Sequence, residues 1–190
     1  GSGGHLLGEM LSKELGIKLY DKEFIRMAAQ RSGMDEQYIV RNEQSIPSFW
    51  LKCILSKNSE QPLESSLSSD DVLFVSESKI IQELAARESC IIVGRCADAI
   101  LEDCDHLIRI FIYAPYEDRI VNCVNDLGMD TKAAKRMIRD VDKARDAYHM
   151  RYAGYLPNDM NHMDLMVNSA TLGVDMTARL LAEVVRDKFS

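Results

Sequence analysis

The chain opens with Gly1-Ser2-Gly3-Gly4-His5, directly ahead of apolar residues at helical spacing: Leu6, Leu7, Met10, Leu11 and Leu15. Successive glycines let backbone N–H groups curl around an anion, and a helix N-terminus adds partial positive charge, so this stretch can hold a phosphate. The same glycines also suit a flexible linker. A second candidate is IIVGRCADAIL, where an apolar run ends in Gly94-Arg95. An arginine at the carboxyl edge of a sheet can capture a phosphate bidentately. The alternative is pairing with a structural acid such as Asp98. A third is the segment from Lys132 to Arg151, where Lys135, Arg136, Arg139, Lys143 and Arg145 gather cations in an acidic chain. Cations closing over a transferring phosphoryl group would stabilise the charge on its oxygens. The alternative is a solvated helix with local pairs such as Arg136–Asp140 or Asp142–Arg145. Cys96 reads as a packing residue, since no base stands near it in sequence.

The elements that must position these residues follow from periodicity. A first helix ends at Gly16, a short strand covers Lys18–Tyr20, and Asp21 caps a helix with Phe24, Ile25, Ala28 and Ala29 on one face. Residues 35–57 read as one or two further helices around Pro47, with Phe49 and Trp50 as packing anchors. SKNSEQPLESSLSSDD, polar and rich in serine, reads as a mobile loop. A helix is expected over 72–88. Continuous apolar runs at Cys90–Val93, Leu107–Ala114 and, more weakly, Leu165–Asn168 have the character of strands buried on both faces of a parallel sheet. Helical patterns separate them, and the alternation predicts a doubly wound parallel α/β sheet.

Composition narrows the function classes. The 190 residues suit one domain or one domain with an insert. A net charge of −7 opposes a general nucleic-acid binder, which needs a broad basic face. No apolar run approaches the roughly 20 residues of a membrane helix, and no secretory signal is visible. Five cysteines, Cys53, Cys90, Cys96, Cys104 and Cys123, contain no C-x-x-C pair, which argues against a disulfide framework or zinc site and for a reducing, cytoplasmic setting. No metal-ligand set is read from the sequence.

Taken in order, GSGGHLLGEMLSKELGIKLYDKEF, IIVGRCADAIL, DVDKARDAYHMRY and MDLMVNSATLGVD resemble the cytidylate kinase-like family of P-loop nucleoside monophosphate kinases. The resemblance runs over almost the whole chain and is weakest at residues 34–71. It implies a single kinase domain over 1–190 with a P-loop-type, three-layer α/β/α sheet. Residues 34–71 would be a helical monophosphate-binding insert and 131–160 a mobile helical lid. The first strand of that sheet is expected upstream of Gly1.

The same resemblance implies that Gly1, Ser2, Gly3, Gly4 and His5 wrap the β-phosphate of ATP. Asp21, Lys22, Arg95 and Asp98 would lie at the acceptor nucleotide, and Arg139, Lys143 and Arg145 in the lid. Ser169 to Gly173 would border the adenine. The implied reaction is transfer of the ATP γ-phosphate to CMP or dCMP with Mg²⁺, by a monomer or homodimer. Two departures stand out. Gly4 occupies the place of the P-loop lysine with Leu6 near the hydroxyl position, and Val93 occupies that of an acid ending the third strand of the expected fold. They leave open a nucleotide-binding regulatory module with little or no kinase activity, or a kinase for another small acceptor.

Overall fold

The computed structural model describes residues 1–31, 33 and 68–189. The helices expected over 35–57, and the insert up to residue 67, lie outside the described residues. Helix α1 (Gly4–Leu15) ends where Gly16 takes a left-handed conformation, and β1 (Lys18–Tyr20) follows. Helix α2 (Lys22–Arg31) starts as expected, with Asp21 Oδ1 accepting from the Phe24 N–H at 2.9 Å. Of its expected apolar face, Ile25 and Ala29 are buried, whereas Phe24 is exposed and lies against the Tyr20 ring.

Helix α3 (Ser69–Arg87) corrects the loop expected through residue 71. Ser68 caps it: its hydroxyl accepts from the Asp71 N–H, and the Asp71 side chain accepts from the Ser68 N–H in return. This reciprocal capping box satisfies two backbone donors at once, so the end of a polar serine run starts a helix. Strand β2 (Cys90–Ile92), a short α4 (Ala97–Ile100), β3 (Ile110–Tyr113), α5 (Tyr116–Leu127) and α6 (Thr131–Tyr152) follow. A 3-10 turn (Met160–His162), β4 (Leu165–Asn168) and α7 (Ser169–Lys188) complete the described order. α7 is broken at Gly173, whose φ of 71° and ψ of 165° are non-helical.

Strands β1 and β2 pair in parallel, as do β3 and β4, so the described residues hold two two-stranded parallel sheets rather than one continuous sheet. The fold is α/β. Leu7 and Leu11 of α1 pack with Ala178, Leu181 and Ala182 of α7, and this pair of helices covers Ile91 of β2, Ile110 and Ile112 of β3, and Leu165 and Val167 of β4. Gly8 permits the close approach of α1, since a Cβ there would meet the Leu19 and Val93 side chains at 3.1 and 3.3 Å.

Two further clusters share one helix. Ile120 and Cys123 of α5 pack against Ala134 and Ile138 in the first half of α6. Tyr152 and Ala153, at its far end, join Tyr20, Ile25, Phe74, Ile81 and Leu84 beneath α3. Thus α6 bridges two cores.

Candidate active site

The carboxyl ends of β1, β3 and β4 reach the start of α1, and β2 ends beside β1. Ser169, following β4, donates its hydroxyl to the Ser2 carbonyl at 2.7 Å and to the Tyr113 carbonyl at the end of β3 at 3.1 Å. His5, in the first turn of α1, stands 3.9 Å from Asp21 at the end of β1. Gly3 precedes the helix with φ 72°, a conformation that glycine alone adopts without strain. No side chain caps α1, and its first helical hydrogen bond runs from the Leu7 N–H to the Gly3 carbonyl at 2.8 Å. The N–H groups of Gly4, His5 and Leu6 therefore have no intrahelical acceptor and sit at the positive end of the helix dipole. Gly1–Gly4 are folded into the body rather than extended away: the Gly1 carbonyl accepts from Asn122 at 2.8 Å, and a Cβ at Gly1 would lie 2.7 Å from the Arg119 carbonyl oxygen. This turn fits a phosphate.

Arg95 sits where β2 ends, in a run of three left-handed residues: Gly94 (φ 80°), Arg95 (φ 60°) and Cys96 (φ 54°). Left-handed backbone at a non-glycine residue costs on the order of 1–3 kcal/mol and persists only where its surroundings impose it. Burial of Cys96, Ala97, Ala99 and Ile100 imposes it here. The Arg95 guanidinium bonds Glu77 Oε1 through one terminal nitrogen, and its carbon lies 5.1 Å from the centroid of the Tyr148 ring. Glu77, on α3, is 1% exposed. Burial pushes its carboxyl up, while the Arg95 charge and the Tyr148 hydroxyl, donating at 3.1 Å, pull the other way.

Asp98, expected on the acceptor side, meets the end of α6. Its carboxylate accepts from Tyr155 Oη at 2.7 Å and from His149 Nε2 at 3.1 Å. The remaining His149 nitrogen, Nδ1, donates to the Tyr155 carbonyl at 2.8 Å. Both Asp98 oxygens are engaged, so Asp98 anchors the end of α6. Asp71 acts similarly, accepting from Arg151 at 2.5 Å and from Tyr152 Oη at 3.1 Å. Lys22 is exposed and lies 3.9 Å from Glu23.

The three cations expected in a lid do not share a face. Buried residues of α6 include Ala134, Ile138, His149 and Tyr152. At 3.6 residues per turn, Arg145 lies in the middle of that stripe, two turns after Ile138 and one turn before His149. Arg145 is nevertheless exposed, because the stripe there lies between the two cores that hold the ends of the helix. Arg139 and Lys143 lie on the opposite face; Arg139 is 71% exposed with Asp140 3.5 Å away. Arg119, which drew no attention in the sequence, donates to Asp142 at 2.7 and 2.8 Å and so fastens α6 to α5 beside Gly1. Along the inward side of α6, Asp142, Arg145 and Tyr148 thus follow at one-turn spacing, running from the glycine turn to Arg95. Among the described residues, two buried side-chain polar atoms lack a partner: Nε of Arg95 and Nε of Arg119.

The profile of the cytidylate kinase-like family matches residues 1–171. The chain belongs to this family. Among solved structures, it is similar to an uncharacterized protein from Eubacterium ventriosum ATCC 27560. The likeness covers 98% of this chain and 93% of that one, with a TM-score of 0.74 and 25% sequence identity. No curated protein matches. Cytidylate kinase-like membership points to a kinase-type phosphotransferase with a nucleotide substrate, a class that generally uses ATP and Mg²⁺. No described helix is long and apolar enough to cross a membrane. The described side chains form no group of three or more His, Cys, Asp or Glu that could hold a metal ion. Asp21 is committed to capping α2, and the half-buried Val93 packs toward Gly8, so the side chains around the turn do not themselves make a Mg²⁺ site.

Proposed function

We propose that the protein transfers the γ-phosphate of ATP to a nucleoside monophosphate, with CMP or dCMP as acceptor. The observation that carries this reading is the placement of Arg95. Its left-handed backbone and unpartnered buried Nε lie at the strand edge where the uncapped start of α1 also lies. Backbone strain and an unpaired buried donor are costs that a binding role accounts for. Gly1, Ser2, Gly3, Gly4 and His5 would hold the donor phosphates through backbone N–H groups, and Arg95 the acceptor phosphate, with Asp21 and Lys22 at its side. An oxygen of the acceptor phosphate bonds to the γ-phosphorus while the bond to the β,γ-bridging oxygen breaks, and ADP leaves. Arg145, on the inward side of α6, would stabilise the charge developing on the transferred group. Cytidine as the acceptor base rests on the family alone.

The unit proposed is one kinase domain over 1–190, with 34–71 as the monophosphate-binding insert and 131–160 as the lid. Its two strand pairs are read as parts of one doubly wound P-loop-type sheet, because one helix pair covers both and their carboxyl ends share an edge. Free thiols at Cys90, Cys96, Cys104 and Cys123 fit a cytoplasmic setting.

A second reading, a nucleotide-binding module with little phosphotransfer, is favoured by Gly4 in place of a lysine and Val93 in place of an acid. Incubation with ATP, Mg²⁺ and each nucleoside monophosphate, with diphosphate product measured, separates the two. Turnover with CMP or dCMP above the other acceptors is expected. Calorimetric nucleotide binding without product would establish the module instead.

A further inference from the structure

Glu77 lies outside every motif that pointed to the site, yet its two carboxylate oxygens join the acceptor-side arginine to the lid helix. Oε1 accepts from Arg95, and Oε2 accepts from the Tyr148 hydroxyl at 3.1 Å. The same Tyr148 ring lies 5.1 Å from the guanidinium carbon. Glu77 holds the guanidinium by one terminal nitrogen, and Tyr148 approaches from the ring side. A fully buried carboxylate is costly to place and is retained only where it is paired. Here the pairing engages one terminal nitrogen of Arg95 and leaves its buried Nε without a partner among the described residues. Tyr148 also follows Arg145 by one turn on the inward stripe of α6. One buried carboxylate therefore touches both Arg95 and the helix that carries Arg145.

We infer that Glu77 is a positioning residue: it aims the free edge of Arg95 at the acceptor phosphate and, through the Tyr148 hydroxyl, sets Arg95 in register with α6. This inference rests on the phosphotransfer reading above, and its test is arranged so that the two can fail separately. Glu77→Gln keeps the volume but removes the charge that holds the guanidinium. With CMP as acceptor, it should raise the acceptor KM about tenfold while the ATP KM changes by less than about twofold. In an Arg95→Lys background the same substitution should add less than about twofold, because a group acting through Arg95 has nothing left to position. A purely structural role would instead raise both KM values, or multiply with Arg95→Lys, and either result overturns the proposal. Tyr148→Phe leaves the Arg95–Glu77 pair and the ring contact in place. It should raise the acceptor KM about two- to fivefold, and this carries the test should Glu77→Gln not fold; an unchanged KM overturns the register claim. If the wild type shows no turnover, the phosphotransfer reading falls, and calorimetric titration with CMP then reads Glu77. A rise in Kd of about tenfold in Glu77→Gln supports the positioning role, and an unchanged Kd, or no CMP binding by the wild type, overturns it.

Discussion

Arg95 and Arg145 differ in how they are held, and that difference predicts their kinetics. Arg95 is fixed by a strained turn and two neighbours, so the contact proposed for it with an acceptor phosphate would exist before chemistry begins. Arg95→Ala should raise the acceptor KM and lower kcat/KM, as loss of a contact made in both ground and transition states does. Arg145 is exposed on the inward stripe, with no partner fixing it among the described residues. Arg145→Ala should lower kcat by about 10²–10³-fold with a smaller effect on KM, the size found for other charge-stabilising donors. Arg139→Ala and Lys143→Ala, on the outer face, should stay within about twofold of wild type, because exposed charges of this kind contribute little. Steady-state kinetics on the four variants test this division, and a large kcat loss at Arg139 or Lys143 would contradict the facing deduced from the helix. The cations themselves were legible in the sequence, and the periodicity could have separated them. What was missing was the knowledge that Ile138 and His149 are both buried, which defines the stripe that Arg145 shares.

Element by element, the apolar runs marked the strands well. β1 and β4 match their expected ranges, and β2 and β3 are trimmed to Ile92 and to Ile110–Tyr113. A helix end was legible where glycine terminates it, as at Gly16. The start of α3 was not, because its cap is written in the same serines and aspartates as a loop. Ser68→Ala should cost about 1 kcal/mol, as for other N-caps, measurable by denaturant unfolding. The junction of α6 with α4 was illegible for another reason: Asp98 meets His149 and Tyr155 only through tertiary folding. A carbonyl and an ionised carboxylate can only accept, so both nitrogens of His149 donate and the buried ring is an imidazolium. Burial works against that charge and is the largest influence on it, but the hydrogen bond and charge of Asp98 outweigh burial and raise the His149 pKa above its ordinary 6.5. Burial likewise works to raise the Asp98 pKa, and the bonds from His149 and Tyr155 hold it below 3.8. The stabilisation from His149 is complete below pH 6.5 and is lost as pH rises through its raised value. That from Asp98 is complete above pH 3.8 and is lost as pH falls through its lowered value. The gap in melting temperature between wild type and His149→Gln should therefore be widest between these two limits and shrink at alkaline pH. A gap that grows with pH would show that the ring is held neutral.

On the scale of the molecule, the proposed binding edge lies where separate cores meet. The α1–α7 layer fixes the glycine turn, the cluster under α3 fixes Arg95, and α6 spans from the α5 cluster to that one. The order of motifs along the chain was enough to indicate the family. It could not show that the strands form two pairs, nor that Glu77, Arg119 and Tyr148 tie these parts to one another, since each bond spans 18 residues or more. Such a site predicts a specific linkage between ligand and stability. A ligand that binds only the folded state stabilises it by about 2.7 kcal/mol at a concentration 100 times its Kd. For a chain of this size, that raises the melting temperature by roughly 5–10 °C. ATP should produce this shift in the wild type, and inorganic triphosphate a share of it, because the turn offers backbone N–H groups rather than a base pocket. Gly3→Val forces a β-branched residue into a left-handed conformation at φ 72°, with the Val174 side chain 3.3 Å from its Cβ. This variant should melt lower on its own and lose most of the shift with both ligands. A shift with ATP that survives Gly3→Val, with none from triphosphate, would place the nucleotide away from α1 and remove the glycine turn from the site.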